Sequence, residues 1–163
     1  MSEPLEIREA KLADAAEVVR LLAQLGHEQP AGEPAARLAA FLNRGERVLV
    51  AGRTPLVAGA PLLGAVTLHI MPVMHRAGPI GRLSAVVVDE PARGAGVGRA
   101  LVLASEAFLL VRGCAMIEIT SNIKRTEAHA FYEGLGYTVT SFRFAKQISG
   151  NRKPEVGPEY SRS

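Results

Sequence analysis

The chain of 163 residues contains no tryptophan, a single cysteine and only 5% aromatic residues. One thiol, Cys114, excludes an intramolecular disulfide and fits a reducing compartment. Its apolar setting ahead of a predicted strand reads as a small buried hydrophobe, not as a nucleophile. The scarcity of aromatic rings matters together with the charge. The formal net charge of +3 and the sequence pI of about 9.4 come from arginines scattered along the chain, with no basic cluster. Nucleic-acid binding needs a concentrated basic face, often with stacking rings, so no nucleic-acid partner is expected. No apolar run approaches the ~18 residues that span a bilayer, and Met1–Glu6 offers neither a basic start nor an apolar segment of a leader. A soluble, cytoplasmic protein without a membrane partner is expected. His69 and His75 lack cysteine or acidic company in the sequence, so no metal site is expected either.

What is present suffices for a core: 48% of residues are hydrophobic and 21% charged, an ordinary globular composition. Residues 1–148 are expected to form one domain, with no internal repeat or linker. Residues 149–163, with Gly150, Pro154, Gly157, Pro158 and mixed charge, read as a polar, flexible tail.

The most informative stretch runs from Ala85 to Leu101. The β-branched segment Val86-Val87-Val88 passes through Asp89-Glu90-Pro91 into Arg93-Gly94-Ala95-Gly96-Val97-Gly98-Arg99, and then into a helical pattern. Glycines at alternate positions let a phosphate approach the backbone, and a helix start leaves its first N–H groups without intrahelical partners. Such a strand, turn and helix make an anion site at the positive end of a helix dipole. The spacing narrows the ligand. A dinucleotide fingerprint needs glycine where Arg99 stands, and a phosphate loop needs Lys-Ser or Lys-Thr where Arg99-Ala100 stands. Arg93-x-x-Gly96-x-Gly98 instead resembles the pyrophosphate-binding signature of the GNAT superfamily of N-acetyltransferases, whose ligand is acetyl-CoA.

The remaining elements follow in order. Leu5–Arg8 alternates as a short strand, and Asp14 is expected to cap a helix over Ala15–Leu25 whose stripe is Val18, Leu21, Leu22 and Leu25. His27–Glu33 reads as a loop, and Pro34 opens a second helix carrying Leu38, Phe41 and Leu42. Strands are expected at Arg47–Ala51, at Leu62–Ile70 and, centrally, at Ile80–Asp89. Between the latter two, Met71–Pro79 is an irregular excursion. A helix over Gly98–Arg112, closed by Gly113, precedes a strand at Met116–Thr120. Thr126 is expected to cap a short helix, and the alternation from Tyr137 to Ile148 predicts a last strand that finishes the sheet.

A second stretch carries the resemblance further. Glu127–Tyr137, with Ala128, Tyr132-Glu133 and Gly136-Tyr137, resembles the closing helix of the GNAT family, in which the tyrosine reaches the coenzyme sulfur. The implied fold is α/β (α+β): a single-domain GNAT fold with a mixed central sheet splayed around acetyl-CoA and helices on both faces. The resemblance implies cofactor contacts from the backbone of Val86, Val87 and Val88, from Arg93, Gly94, Ala95, Gly96, Val97, Gly98 and Arg99, and from Arg125. It also implies Tyr132 as general acid, because the leaving thiolate is basic enough to take a phenolic proton. A strand N–H would stabilise charge on the thioester oxygen. The first two helices and the loop between them, with His27 and Glu28, would wall the acceptor site.

The sequence departs from the family at one place. Many members carry a glutamate on the central strand a few residues before the Val-x-Val, where this chain has Ser84-Ala85. Glu118, on the neighbouring strand, is the substitute base, with a water chain as the alternative. The expected activity is acetyl transfer from acetyl-CoA to a primary amine of a small molecule by direct attack in a ternary complex, with no metal. The pattern Thr120-Ser121-x-x-x-Arg125-x-x-Ala128-His129 leans toward the branch that includes aminoalkylphosphonate and aminoglycoside acetylators. The alternatives are a non-catalytic acyl-CoA sensor, or acetylation of a protein N-terminus or lysine. A homodimer is common in the family.

Overall fold

In the computed structural model of the protein, residues 4–26, 30–122 and 124–150 are described. The chain divides into two compact units, Met1–Thr120 and Ser121–Ser163. Among the described residues the first unit has five strands and three α-helices, in the order β1 (Leu5–Glu9), α1 (Ala15–Ala23), α2 (Pro34–Asn43), β2 (Arg47–Arg53), β3 (Gly64–Met71), β4 (Ile80–Val88), α3 (Val97–Val111) and β5 (Met116–Ile119). The strands lie side by side in sequence order; neighbours are antiparallel except β4 and β5, which are parallel. A mixed sheet in an α+β arrangement is therefore what the chain forms.

Both faces of the sheet are covered. Val48 and Val50 of β2, Ala65 of β3 and Val87 of β4 pack with Val18 and Leu21 of α1 and Leu38 of α2. On the opposite face α3 lies so close to the strands that a Cβ built on Gly81 would stand 2.6 Å from a methyl of Leu109. Any larger residue there would push the helix off the sheet. Burial on both faces explains why β2 is buried from Val48 to Gly52 without alternation.

The first helix starts differently from expectation. Asp14 ends a single 3-10 turn, Leu12–Asp14, and makes no cap bond to α1. Its fully buried carboxylate instead accepts from Nη1 and Nη2 of Arg8 (2.7 and 3.0 Å), from the Lys11 N–H (2.7 Å) and from the Gly59 N–H (2.8 Å). Burial alone would push this carboxyl up, but the Arg8 guanidinium and the two backbone donors outweigh it and hold the group at about 2. The residue joins β1, α1 and the β2–β3 connection at one point. Other boundaries move less. α1 stops at Ala23, and β3 runs from Gly64 to Met71, with Leu62 a buried loop residue whose N–H donates to Glu17. Cys114 is buried, and burial pushes its thiol up, away from reactivity.

The second unit contains α4 (Thr126–Gly134), preceded by Arg125 in the capping position, so Thr126 is the first helical residue and not the cap. The strand expected over Tyr137–Ile148 does not form: these residues carry no strand structure, and Val139, Phe142, Phe144 and Ile148 are 63–93% exposed. A period of two reads as a strand only where a sheet edge receives it, and nothing in the stretch specifies that edge. The expected tail lies almost entirely outside the described residues, as do His27 and Glu28.

Candidate active site

β4 is nine residues long, yet β5 pairs with it only over Ile80–Leu83. From Ser84 to Val88 the strand pairs, among the described strands, with β3 alone, and of its outer edge the Val88 carbonyl is taken by Arg93, which leaves peptide groups around Val86 facing outward toward an extended ligand. That open edge leads into the glycine turn. Gly94 and Gly96 adopt φ of +79° and +83°, a left-handed conformation that L-residues avoid, and a Cβ on either would meet nothing within 4 Å. The turn is therefore open on its outer side. The first backbone bond into α3 runs from the Ala100 N–H to the Gly96 carbonyl (3.0 Å), which leaves the N–H groups of Val97, Gly98 and Arg99 directed out of the helix start. A diphosphate has the charge and size for this cradle.

The turn is pinned from α1. Arg20 and Gln24 both bond Asp89 at the end of β4 (2.8 and 2.6 Å), and together they hold its carboxyl below the usual carboxylate range. The Gln24 Oε1 atom then accepts from the Glu90 N–H (3.1 Å) and from Arg93 (3.4 Å), while Arg93 Nε also donates to the Val88 carbonyl (3.2 Å). Arg93 thus closes the corner between strand and turn. Arg20, Gln24 and Asp89 were not singled out in the sequence. Their roles join positions 65 to 69 residues apart, and no local pattern announces such a bridge.

Around the middle of β4, two polar groups share the face that looks toward α1 and α2. Arg82 and Glu118 are register partners across β4 and β5, and Nε and Nη2 of Arg82 both donate to Oε1 of Glu118. Beside them Ser84 is the extra residue of a β-bulge: Leu83 pairs with Leu68 and Ala85 with Thr67, and Ser84 has no partner of its own. Its Oγ lies 2.6 Å from Nε2 of His69 and 2.8 Å from Oγ1 of Thr67. The His69 Nδ1 atom lies 2.8 Å from Oε2 of Glu46, and the Phe41 ring of α2 meets the imidazole edge-on at 5.5 Å. Ser84 and Ala85 stand where the resemblance implies a glutamate that this chain lacks.

In the second unit Tyr132 lies half-buried on α4, with its ring between Phe131 (5.2 Å) and Tyr137 (6.2 Å). Burial pushes its phenol up, against a smaller opposing effect of the Arg125 charge, so it stays protonated at neutral pH. Arg125 precedes α4, and its carbonyl accepts from the His129 N–H (3.1 Å). Among the described residues no three potential metal ligands gather, and no helix is long and apolar enough to cross a membrane.

The family model for the acetyltransferase (GNAT) family matches residues 17–137, which takes in most of α1, α2, strands β2 to β5, the glycine turn with α3, and α4. The chain belongs to the GNAT family. GNAT members are acyltransferases that use acetyl-CoA as co-substrate, and the open β4 edge with its glycine turn fits that group. Among curated GNAT relatives, an aminoalkylphosphonate N-acetyltransferase of Salmonella typhimurium is 36% identical over 87 residues, which are 53% of this chain. The match spans 56% of that enzyme, little over half its length. A glucosamine 6-phosphate N-acetyltransferase of Trypanosoma brucei brucei is 30% identical over 82% of this chain and 88% of its own. Among solved GNAT structures, an acetyltransferase of Trypanosoma brucei superposes with a TM-score of 0.75 at 28% identity, covering 89% of this chain and all of the other.

Proposed function

We propose that this GNAT protein transfers the acetyl group of acetyl-CoA to the primary amine of a small molecule, and that the acceptor carries a phosphate or phosphonate. The observation that carries the reading is the β4 edge left open from Ser84 to Val88 and running straight into the Gly94–Arg99 turn. Peptide groups along Val86–Val88 receive the extended arm of the coenzyme as an added strand, and the turn with Arg93 and Arg99 receives its diphosphate. Arg125, brought in by resemblance, adds a cation for the coenzyme. The thioester supplies an activated acetyl group. One β4 N–H donates to the thioester oxygen as negative charge builds there, a contribution of ~3–4 kcal/mol where such donors have been removed in acyl transfer. Tyr132, protonated at neutral pH, gives its phenolic proton to the departing sulfur. Holding both reactants together lowers the entropic part of the barrier.

The acceptor class draws support from the printed activities of two relatives, aminoalkylphosphonates and glucosamine 6-phosphate, both small amines bearing a phosphorus oxyanion. The test is release of free coenzyme A from acetyl-CoA over a panel of 2-aminoethylphosphonate, glucosamine 6-phosphate, an aminoglycoside, a polyamine and a peptide with a free N-terminus. Turnover concentrated in the first two supports the reading. Turnover of the peptide alone, or of nothing in the panel despite bound acetyl-CoA, contradicts it.

A further inference from the structure

We infer that Ser84, His69 and Glu46 form a proton relay that takes the ammonium proton of the acceptor, with Ser84 as the group that touches the amine. The inference rests on the acetyl-transfer reading, since an amine must be neutral to attack.

The hydrogen-bond inventory gives the relay its direction. An ionised Glu46 can only accept, so the 2.8 Å contact to Nδ1 of His69 places a proton on Nδ1. In the neutral ring Nε2 is then an acceptor, and the 2.6 Å contact from Ser84 must be donated by the Ser84 hydroxyl. With its hydrogen committed to His69, Ser84 Oγ can only accept from Thr67 at 2.8 Å, and one lone-pair direction is left for a further donor. Ser84 is solvent-exposed, whereas the side chains of His69 and Glu46 are only 24% and 27% exposed. An outside N–H donor therefore meets the serine. In the step, the ammonium N–H bond breaks and its proton passes to Ser84 Oγ as the serine's own proton passes to Nε2. The products are a neutral amine, an unchanged serine and an imidazolium whose Nδ1–H faces the Glu46 carboxylate.

Placement supports the assignment. The bulge aims Ser84 out of the regular ladder at the residue where β5 leaves β4 and the open edge begins. The charged groups facing His69 are Glu46 at the entry to β2 and Arg82 opposite it on β4, and Arg82 is itself matched by Glu118 from β5. From α2 the ring receives the uncharged Phe41.

Two measurements test the relay. Long-range 15N–1H spectra of the imidazole in the intact protein report the tautomer without any acceptor: neutral His69 is expected to carry its proton on Nδ1, and a proton on Nε2 overturns the relay. With the best amine of the panel, His69→Gln is expected to lower kcat/KM about a hundredfold and to leave the Kd for acetyl-CoA within about twofold. As the positioning residue, Glu46 gives a smaller loss on change to Gln, and Ser84→Thr keeps more activity than Ser84→Ala. A kcat/KM in His69→Gln within about twofold of wild type, a loss of about a hundredfold found instead in Glu118→Gln, or an acetylated Ser84 trapped by mass spectrometry overturns the inference. If no amine is acetylated, the acetyl-transfer reading fails, and the tautomer judges the relay's hydrogen-bond order by itself.

Discussion

Gly96→Ala is expected to harm acetyl-CoA binding far more than it harms the fold, and Gly113→Ala provides the matched control. The two glycines flank the same helix, α3, at φ of +83° and +78°, and a Cβ on either meets nothing within 4 Å. The cost to the fold is therefore backbone strain alone, about 1–2 kcal/mol for an L-residue in the left-handed region. At ~2–4 °C per kcal/mol for a chain of this size, each variant should lose roughly 2–8 °C of Tm. Their ligand costs differ. At Gly96 the added methyl stands where a phosphate would approach the N–H groups of Val97 and Gly98, and one lost hydrogen bond to a charged group costs ~1.5–3 kcal/mol, roughly 10- to 150-fold in Kd. At Gly113 no ligand is expected, so affinity should hold. Calorimetric titration with acetyl-CoA, beside thermal melts of the same samples, reads both quantities. Equal affinities in the two variants, or a Gly96→Ala protein that binds as wild type does, would refute the reasoning.

Asp14→Asn removes the buried anion from Arg8 and two backbone donors, a change that costs ~3–5 kcal/mol for a buried pair. Arg8 keeps the carbonyls of Leu56, Glu9 and Val57, so about 3 kcal/mol by urea unfolding is expected, and a loss below ~1 kcal/mol contradicts the hub. Because Asp14 drops from an ordinary 3.8 to about 2 on folding, its stabilisation is complete above the unfolded value and fades as pH falls through the folded one. Wild type should lose about 2 kcal/mol on this account between pH 5 and pH 2, a component absent in Asp14→Asn. Tyr132→Phe should lower kcat on the order of a hundredfold while acetyl-CoA affinity holds, as followed by coenzyme A release and calorimetry. An unchanged kcat removes the phenol from the chemistry.

Local grammar in the sequence carried much of the fold and part of the site. The glycine turn is readable because its conformation is set by the residues that adopt it, Gly94 and Gly96, and because β4 and α3 flank it directly. Gly113, at positive φ, likewise closes α3 where the sequence pattern ends. What escapes a linear reading is long-range. Asp14 looks like a cap, but a carboxylate chooses among donors, and the Gly59 N–H, 45 residues away, is invisible from its neighbourhood. The Ser84 cluster depends on a bulge that shifts the β3–β4 register between Thr67 and Leu68. Without that shift His69 and Ser84 are two unremarkable polar residues 15 positions apart. The alternation from Tyr137 to Ile148 failed as a strand for the converse reason: the pattern was local and the edge it needed was not.

The central claim is that acetyl-CoA lies along the free edge of β4 with its diphosphate at the start of α3. Backbone amide shifts of 15N-labelled protein titrated with acetyl-CoA test it most directly. The account predicts saturable shifts concentrated at Ala85–Val88 and Gly94–Arg99. Shifts centred elsewhere, or none at millimolar acetyl-CoA, would contradict it.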